Sequence, residues 1–124
     1  MIFGIGTDII EVARMERHLS ENMNLRNKLF TKREQAYADQ RATVFQHYAA
    51  RFAAKEAFFK ALGTGYRYGM AFHEIEVLND ELGKPVIEAH GKVKEYIDAH
   101  GVKYIHLTIS HVKEMANAFV ILEK

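Results

Sequence analysis

A single α+β domain, with an antiparallel sheet packed against one long helix and several shorter ones, is the fold class that three features of this sequence predict. Residues 2–10 and 102–122 alternate with the two-residue period of strands, at opposite ends of the chain. Residues 44–62 form an uninterrupted run of helix-forming residues between them. No linker, low-complexity stretch or fixed-period repeat divides the 124 residues, so residues 1–124 read as one domain. That length can bury its own core, yet it is short enough for an oligomer to complete an active site.

Composition narrows the class further. The chain is 48% hydrophobic and 27% charged, with one proline, which is a globular balance. It has no cysteine, which excludes a disulfide framework and cysteine metal sites and makes a reducing cytoplasm the expected location. Its first residues lack the basic and apolar segments of a signal peptide, and no apolar run approaches the ~20 residues that span a bilayer. No membrane association is expected. A net charge of +1 gives no ground for nucleic-acid binding, but residues 12–34 hold six basic against three acidic side chains. That local excess reads either as a solvated face or as a docking surface for an acidic partner.

In chain order, residues 2–10 place Phe3, Ile5, Thr7 and Ile9 on one strand face and Ile2, Gly4, Gly6, Asp8 and Ile10 on the other. Glycines inside a strand signal close approach of another backbone or of a ligand. Asp8, at the end of that face, reads equally as a ligand or as the N-cap of the next helix. A short amphipathic helix is expected over residues 11–19, with Arg14 and Arg17 at i,i+3, and residues 20–27 read as polar and irregular. Thr31 and Glu34 have the spacing of a capping box, which starts a helix running to about residue 38.

The long helix over 44–62 ends at Gly63. On its surface Phe52, Glu56, Phe59, Lys60 and Gly63 share a face, and the plain expectation there is an i,i+4 Glu56–Lys60 pair. Residues 63–69 form a loop with three glycines, able to present N–H groups to an anion or simply to cap the helix. Residues 75–78 and 85–89 read as a hairpin, residues 91–100 as a helix with Val93, Tyr96 and Ile97 inward, and 102–111 and 116–122 as an antiparallel strand pair.

Among chemically capable groups, zinc is not supported by the seven histidines. His106 and His111 are an odd number of residues apart and face opposite sides of a strand, and His90 and His100 lie at opposite ends of a helix. Ser110 and His111 are neighbours pointing apart, which excludes a nucleophilic diad. Asp8 and Glu56 can meet if the long helix lies over the first strand. Two acids of this kind suit Mg²⁺ with a phosphate, and Lys60 is then placed to offset charge on that phosphate or its leaving oxygen.

Four segments carry a family resemblance: Gly4 to Glu11; Arg51 to Ala57, continuing through Lys60 to Gly65; Gly83-Lys84-Pro85; and Ser110 to Glu114. In this order and spacing they resemble the holo-[acyl-carrier-protein] synthases, small phosphopantetheinyl transferases of fatty-acid synthesis. Phe52, Lys55, Glu56, Ala57 and Lys60 match the superfamily's W/F-x-x-K-E-A-x-x-K core, and the likeness covers essentially the whole chain. The resemblance implies transfer of 4′-phosphopantetheine from coenzyme A to a serine of apo-acyl carrier protein, with release of 3′,5′-ADP. It implies Mg²⁺ held by Asp8 and Glu56, with Lys60 as third catalytic group. It places Arg51, Lys60, Gly63, Gly65, Lys84, Pro85 and His111 around the coenzyme, and Arg14 and Arg17 against the acidic carrier. It further implies a homotrimer with active sites between subunits. Thr7 departs from the apolar residue many members carry before the aspartate, and its side chain is expected to face away from Asp8. Alternatives that the residues alone leave open are another Mg-dependent phosphoryl or pyrophosphate enzyme and a basic, non-enzymatic interaction module.

Overall fold

A computed structural model describes residues 1–124. The elements run β1 (Ile2–Glu11), α1 (Val12–Glu21), α2 (Leu25–Leu29), α3 (Lys32–Asp39), α4 (Val44–Leu62), a 3₁₀ turn (Phe72–Glu74), β2 (Ile75–Asn79), β3 (Pro85–Ala89), α5 (Gly91–Ala99), β4 (Tyr104–His111) and β5 (Met115–Glu123). The two chain ends meet in an antiparallel three-stranded sheet ordered β1-β5-β4, while β2 and β3 form a separate hairpin. This is the expected α+β arrangement. The long helix has the predicted bounds, and β4 starts two residues later than its pattern because Val102 is buried ahead of it as a loop residue.

α4 is the axis of the molecule, touching β1, β5, β4, β2, α1 and α3. Twelve of its 19 residues are buried, so its surroundings rather than one apolar stripe hold it. Small residues on both sides bring it onto the sheet. Ala116, Ala118, Val120 and Leu122 of β5 are fully buried beneath it, and β1 presents Gly4 and Gly6. A Cβ at Gly4 would stand 1.9 Å from the Ala61 carbonyl oxygen, and one at Gly6 would stand 2.1 Å from that of Ala57. The close approach signalled by the strand glycines is therefore made by the α4 backbone. The β1 face with Ile5, Thr7 and Ile9 points the other way and is exposed.

One segment departs from its expectation. Residues 20–27 are not an irregular polar stretch: α1 continues to Glu21, and α2 forms from Leu25. Leu25 and Leu29, one turn apart, join the core beside the 3₁₀ turn, and this tertiary contact supports a five-residue helix too short to persist alone. By contrast, the capping box at α3 is complete, with the Glu34 N–H donating to the Thr31 hydroxyl and the Thr31 N–H to the Glu34 carboxylate. α4 stops where Gly63 takes φ 78°, a left-handed C-cap that glycine adopts without strain.

Replacing Gly6 by alanine drives its Cβ into the α4 backbone, a clash that no rotamer can relieve. We expect Gly6→Ala to lose about 3 kcal/mol of stability in urea unfolding. A loss below about 0.5 kcal/mol would show that β1 and α4 can move apart at little cost.

Candidate active site

Asp8 lies on the face of β1 that meets α4, two residues beyond Gly6, so the glycine contact brings its carboxylate to the helix surface. Glu56 projects from α4 into the same cavity, a space of about 460 Å³ whose lining also includes Arg14, Met15, Phe52 and Phe72. Lys60, one turn further on, does not make the expected pair with Glu56. Its Nζ donates instead to Asp8 Oδ1 at 3.1 Å and to the Thr7 carbonyl at 3.0 Å, because the strand offers two acceptors side by side. The Thr7 hydroxyl bonds to the Ala118 carbonyl across the sheet, and its side chain leaves the site as expected.

Of the two carboxylates, only Asp8 is paired with the Lys60 ammonium, and Arg14 lines the same cavity. Partial burial and then the Asp8 charge push the Glu56 carboxyl above its ordinary value, and Lys60 offsets only part of that shift. Half-buried oxygen donors of this kind suit a hard divalent cation. Phe52 and Phe72 stack with ring centres 5.6 Å apart and form an aromatic wall beside Glu56, while buried Phe59 meets Phe72 edge-on.

Lys55, next to Glu56 in sequence, leaves the helix about 100° away from it and is fully buried. Its ammonium donates to Glu34 at 2.8 Å and to the carbonyls of Phe72 and Ile75. Glu34 also accepts from the Val77 N–H at 2.9 Å. Desolvation pulls the Lys55 pKa down while Glu34 opposes the shift. This residue ties α3, the 3₁₀ turn and β2 to α4, and so sets where Phe72 stands. Sequence reasoning gave it no role; its signal was a lysine among the alanines of a buried helix.

The remaining candidates fall into separate places. Arg14 lines the carboxylate cavity and Arg17 lies exposed one turn along α1. Arg51, Pro85 and His111 line a second cavity of about 220 Å³ together with Tyr37, His47 and Asn79. Arg51 is buried, donates to Asn79 Oδ1 at 2.8 Å and lies 4.2 Å above the Tyr37 ring, and its Nε has no partner. The His111 ring Nδ1 is 3.0 Å from Gln46 Oε1 of α4, whereas His106 pairs with Glu123 on the other sheet face. Lys84 is at the end of the β2–β3 loop, where its N–H donates to Asp80. Gly63 and Gly65, at φ 78° and 62°, follow the C-terminus of α4. On a helix, Arg51 and Glu56 are roughly 140° and about 7.5 Å apart, and Gly63 is about 18 Å along the axis from Arg51. Within one chain the candidates therefore form two groups, not one.

Glu76, Glu88 and His90 also approach one another, with ligand atoms within 4.8 Å. Arg33, Thr31 and His90 already bond the Glu76 carboxylate; burial alone would raise its pKa, but these bonds outweigh burial and hold it at about 2. This is an ion-pair network fastening α3 to the hairpin.

Comparison with known proteins identifies the family and the fold. A family model described as the 4′-phosphopantetheinyl transferase superfamily matches residues 4–119. The chain is similar to the holo-[acyl-carrier-protein] synthase of Geotalea daltonii, with 46% identity over 125 residues covering 100% of both chains. It is similar also to that of Trichlorobacter lovleyi, with 48% identity over 124 residues covering 99% of this chain and 98% of the relative. Among solved structures, the Neisseria meningitidis holo-[acyl-carrier-protein] synthase superposes with a TM-score of 0.92 at 34% identity, covering 100% of both chains. The Bacillus anthracis synthase in complex with CoA (3′,5′-ADP) superposes with a TM-score of 0.80 at 39% identity, covering 98% of this chain and 96% of that one.

Proposed function

The chain belongs to the holo-[acyl-carrier-protein] synthases of the 4′-phosphopantetheinyl transferase superfamily, and from that premise we propose that the Asp8–Glu56–Lys60 corner is its catalytic centre. The enzyme transfers 4′-phosphopantetheine from coenzyme A to a serine of apo-acyl carrier protein, a step of fatty-acid biosynthesis. The observation that carries the site assignment is the convergence of Asp8 and Glu56 on one cavity, with Lys60 bound to Asp8 and Arg14 beside them.

In this reading the serine oxygen attacks the pantetheine-side phosphorus of the coenzyme pyrophosphate. The bond from that phosphorus to the bridging oxygen breaks, and 3′,5′-ADP departs with the bridging electrons. A carboxylate of this corner, or water held by it, takes the serine proton. Lys60 offsets or protonates the departing phosphate. Asp8 and Glu56 would hold a magnesium ion, since both are hard oxygen donors that meet on one cavity, and such an ion would supply charge neutralisation at the pyrophosphate. Arg51, Lys84, Pro85 and His111 of one subunit, with Gly63 and Gly65 of its neighbour, hold the nucleotide.

Arg14 and Arg17 form the docking face for the acidic carrier protein, which presents its serine to the cavity that Arg14 lines. A homotrimer joins the two separated groups, one subunit giving Asp8, Glu56 and Lys60 and the next giving Arg51, Pro85 and His111. In support, the sheet face turned from α4 exposes Ile5, Ile9 and Phe119 side by side, an apolar surface suited to another subunit. No helix is long and apolar enough to cross a membrane. Absence of cysteine accords with a cytoplasmic location.

Incubation with apo-acyl carrier protein, coenzyme A and Mg²⁺ should add one phosphopantetheine mass to the carrier; no mass change, while a control transferase works, rejects the activity. Asp8→Ala and Glu56→Ala should each lower the transfer rate by at least ~100-fold with the fold intact. Near-normal rates at saturating Mg²⁺ would remove both residues from the metal site. Arg14→Glu should raise KM for the carrier about tenfold, leave KM for coenzyme A unchanged and flatten the salt dependence. A change confined to coenzyme A would move the docking face elsewhere. Phe119→Arg should turn a trimer into monomers in sedimentation, and an unchanged mass would place the subunit contact on another surface.

A further inference from the structure

The cavity lined by Arg51, Pro85 and His111 also takes in His47. Its nine lining residues include arginine and two histidines but no carboxylate. His47, from the first half of α4, stands in its wall with its ring edge-on to Tyr37 at 5.6 Å and to His111 at 5.4 Å. Every charged or titratable neighbour facing it is cationic or neutral: Arg51 on the next turn of α4, Arg41 ahead of the helix, His111 from β4 and Tyr37 from α3. Tyr37 itself lies under two guanidiniums, Arg41 at 3.9 Å and Arg51 at 4.2 Å from its ring centre. The buried Arg51 Nε is left without an acceptor. A pocket of this kind is arranged for a compact anion of more than one charge.

We propose that His47 is a nucleotide-binding residue of this pocket, donating as an imidazolium to a phosphate monoester held jointly with Arg51 and His111. The inference rests on the assignment of this pocket to the coenzyme's nucleotide and extends it to a residue outside the family-matched positions. In the free protein, burial and then the charges of His111, Arg51 and Arg41 disfavour the imidazolium and lower its pKa. An entering phosphate dianion reverses that balance, so binding draws a proton onto His47. The sign follows from linkage. Because the bound pKa exceeds the free one, the added affinity is complete below the free pKa and is lost as pH rises through the bound pKa.

Calorimetric titration of 3′,5′-ADP into the full-length protein, its His47→Phe variant and its His47→Gln variant, at pH 5.5 and pH 8, tests this directly. Phenylalanine keeps the aromatic wall, and glutamine keeps a hydrogen-bonding side chain should the first variant pack poorly. Both should bind about tenfold more weakly than the parent at pH 5.5 and within about twofold of it at pH 8. The ligand's own phosphate, titrating near pH 6, acts equally on all three proteins. In buffers of different ionisation heat, the parent should take up more protons on binding than either variant. Equal affinities at both pH values, or a loss of the same size at both, would overturn the role of His47 while leaving the nucleotide pocket in place. No binding of 3′,5′-ADP to the parent would overturn the pocket assignment and the inference with it.

Discussion

The closeness of β1 to α4 governs the arrangement of the candidate site. Strand and helix meet through Gly4 and Gly6 on one side and the backbone of Ala57 and Ala61 on the other, at separations that leave no room for a Cβ. A strand packed at ordinary distance, with side chains between, would leave Asp8 several ångströms from the helix surface. Lys60 would then not reach Asp8, and the Asp8 charge would not act on Glu56. Here the smallest side chains, by their absence, position the charged ones.

A second constraint acts from another side of the helix. Lys55 and Glu34, both fully buried, join α3, β2 and the turn before β2 to α4 through a network in which each charged group has several partners. Burial of such a pair is weak grounds for stability, since desolvation offsets most of the attraction. Its consequence here is geometrical. Adjacent residues on α4 leave it about 100° apart, Lys55 to the structural network and Glu56 to the cavity, so the network that orients the helix also sets the direction of the carboxylate. The aromatic wall of Phe52 and Phe72 stands on the same support, because the Phe72 carbonyl is one of the acceptors of Lys55.

These two constraints fix one half of the chemistry within a single chain. The other half lies round the helix at Arg51, Pro85 and His111, and the helix geometry that separates the two is not negotiable at five residues' spacing. The outward apolar face of the sheet and the split site are thus two aspects of one arrangement in the proposed trimer. Exposed Ile5, Ile9 and Phe119 ask for cover, and the separated groups ask for a neighbour.

Much of the fold was legible from local pattern. Period-two alternation placed the strands, an alanine-rich run placed α4, and glycine ended it, since each depends on residues a few positions apart. The paired glycines even announced that a backbone would come close, and the four motifs identified the family. Local pattern was silent where partners are distant in sequence. It read residues 20–27 as irregular, because the support for α2 comes from the 3₁₀ turn at Phe72–Glu74. It paired Lys60 with Glu56, the helical neighbour, because the competing acceptors belong to β1. It gave Lys55 and His47 no role, since one is explained by Glu34 and the other by Tyr37 and His111. The sequence by itself determined which elements form and which chemical groups the chain owns. Only the tertiary structure decided which of those groups share a cavity, because that depends on how closely β1 and α4 approach and on the direction each α4 side chain leaves the helix.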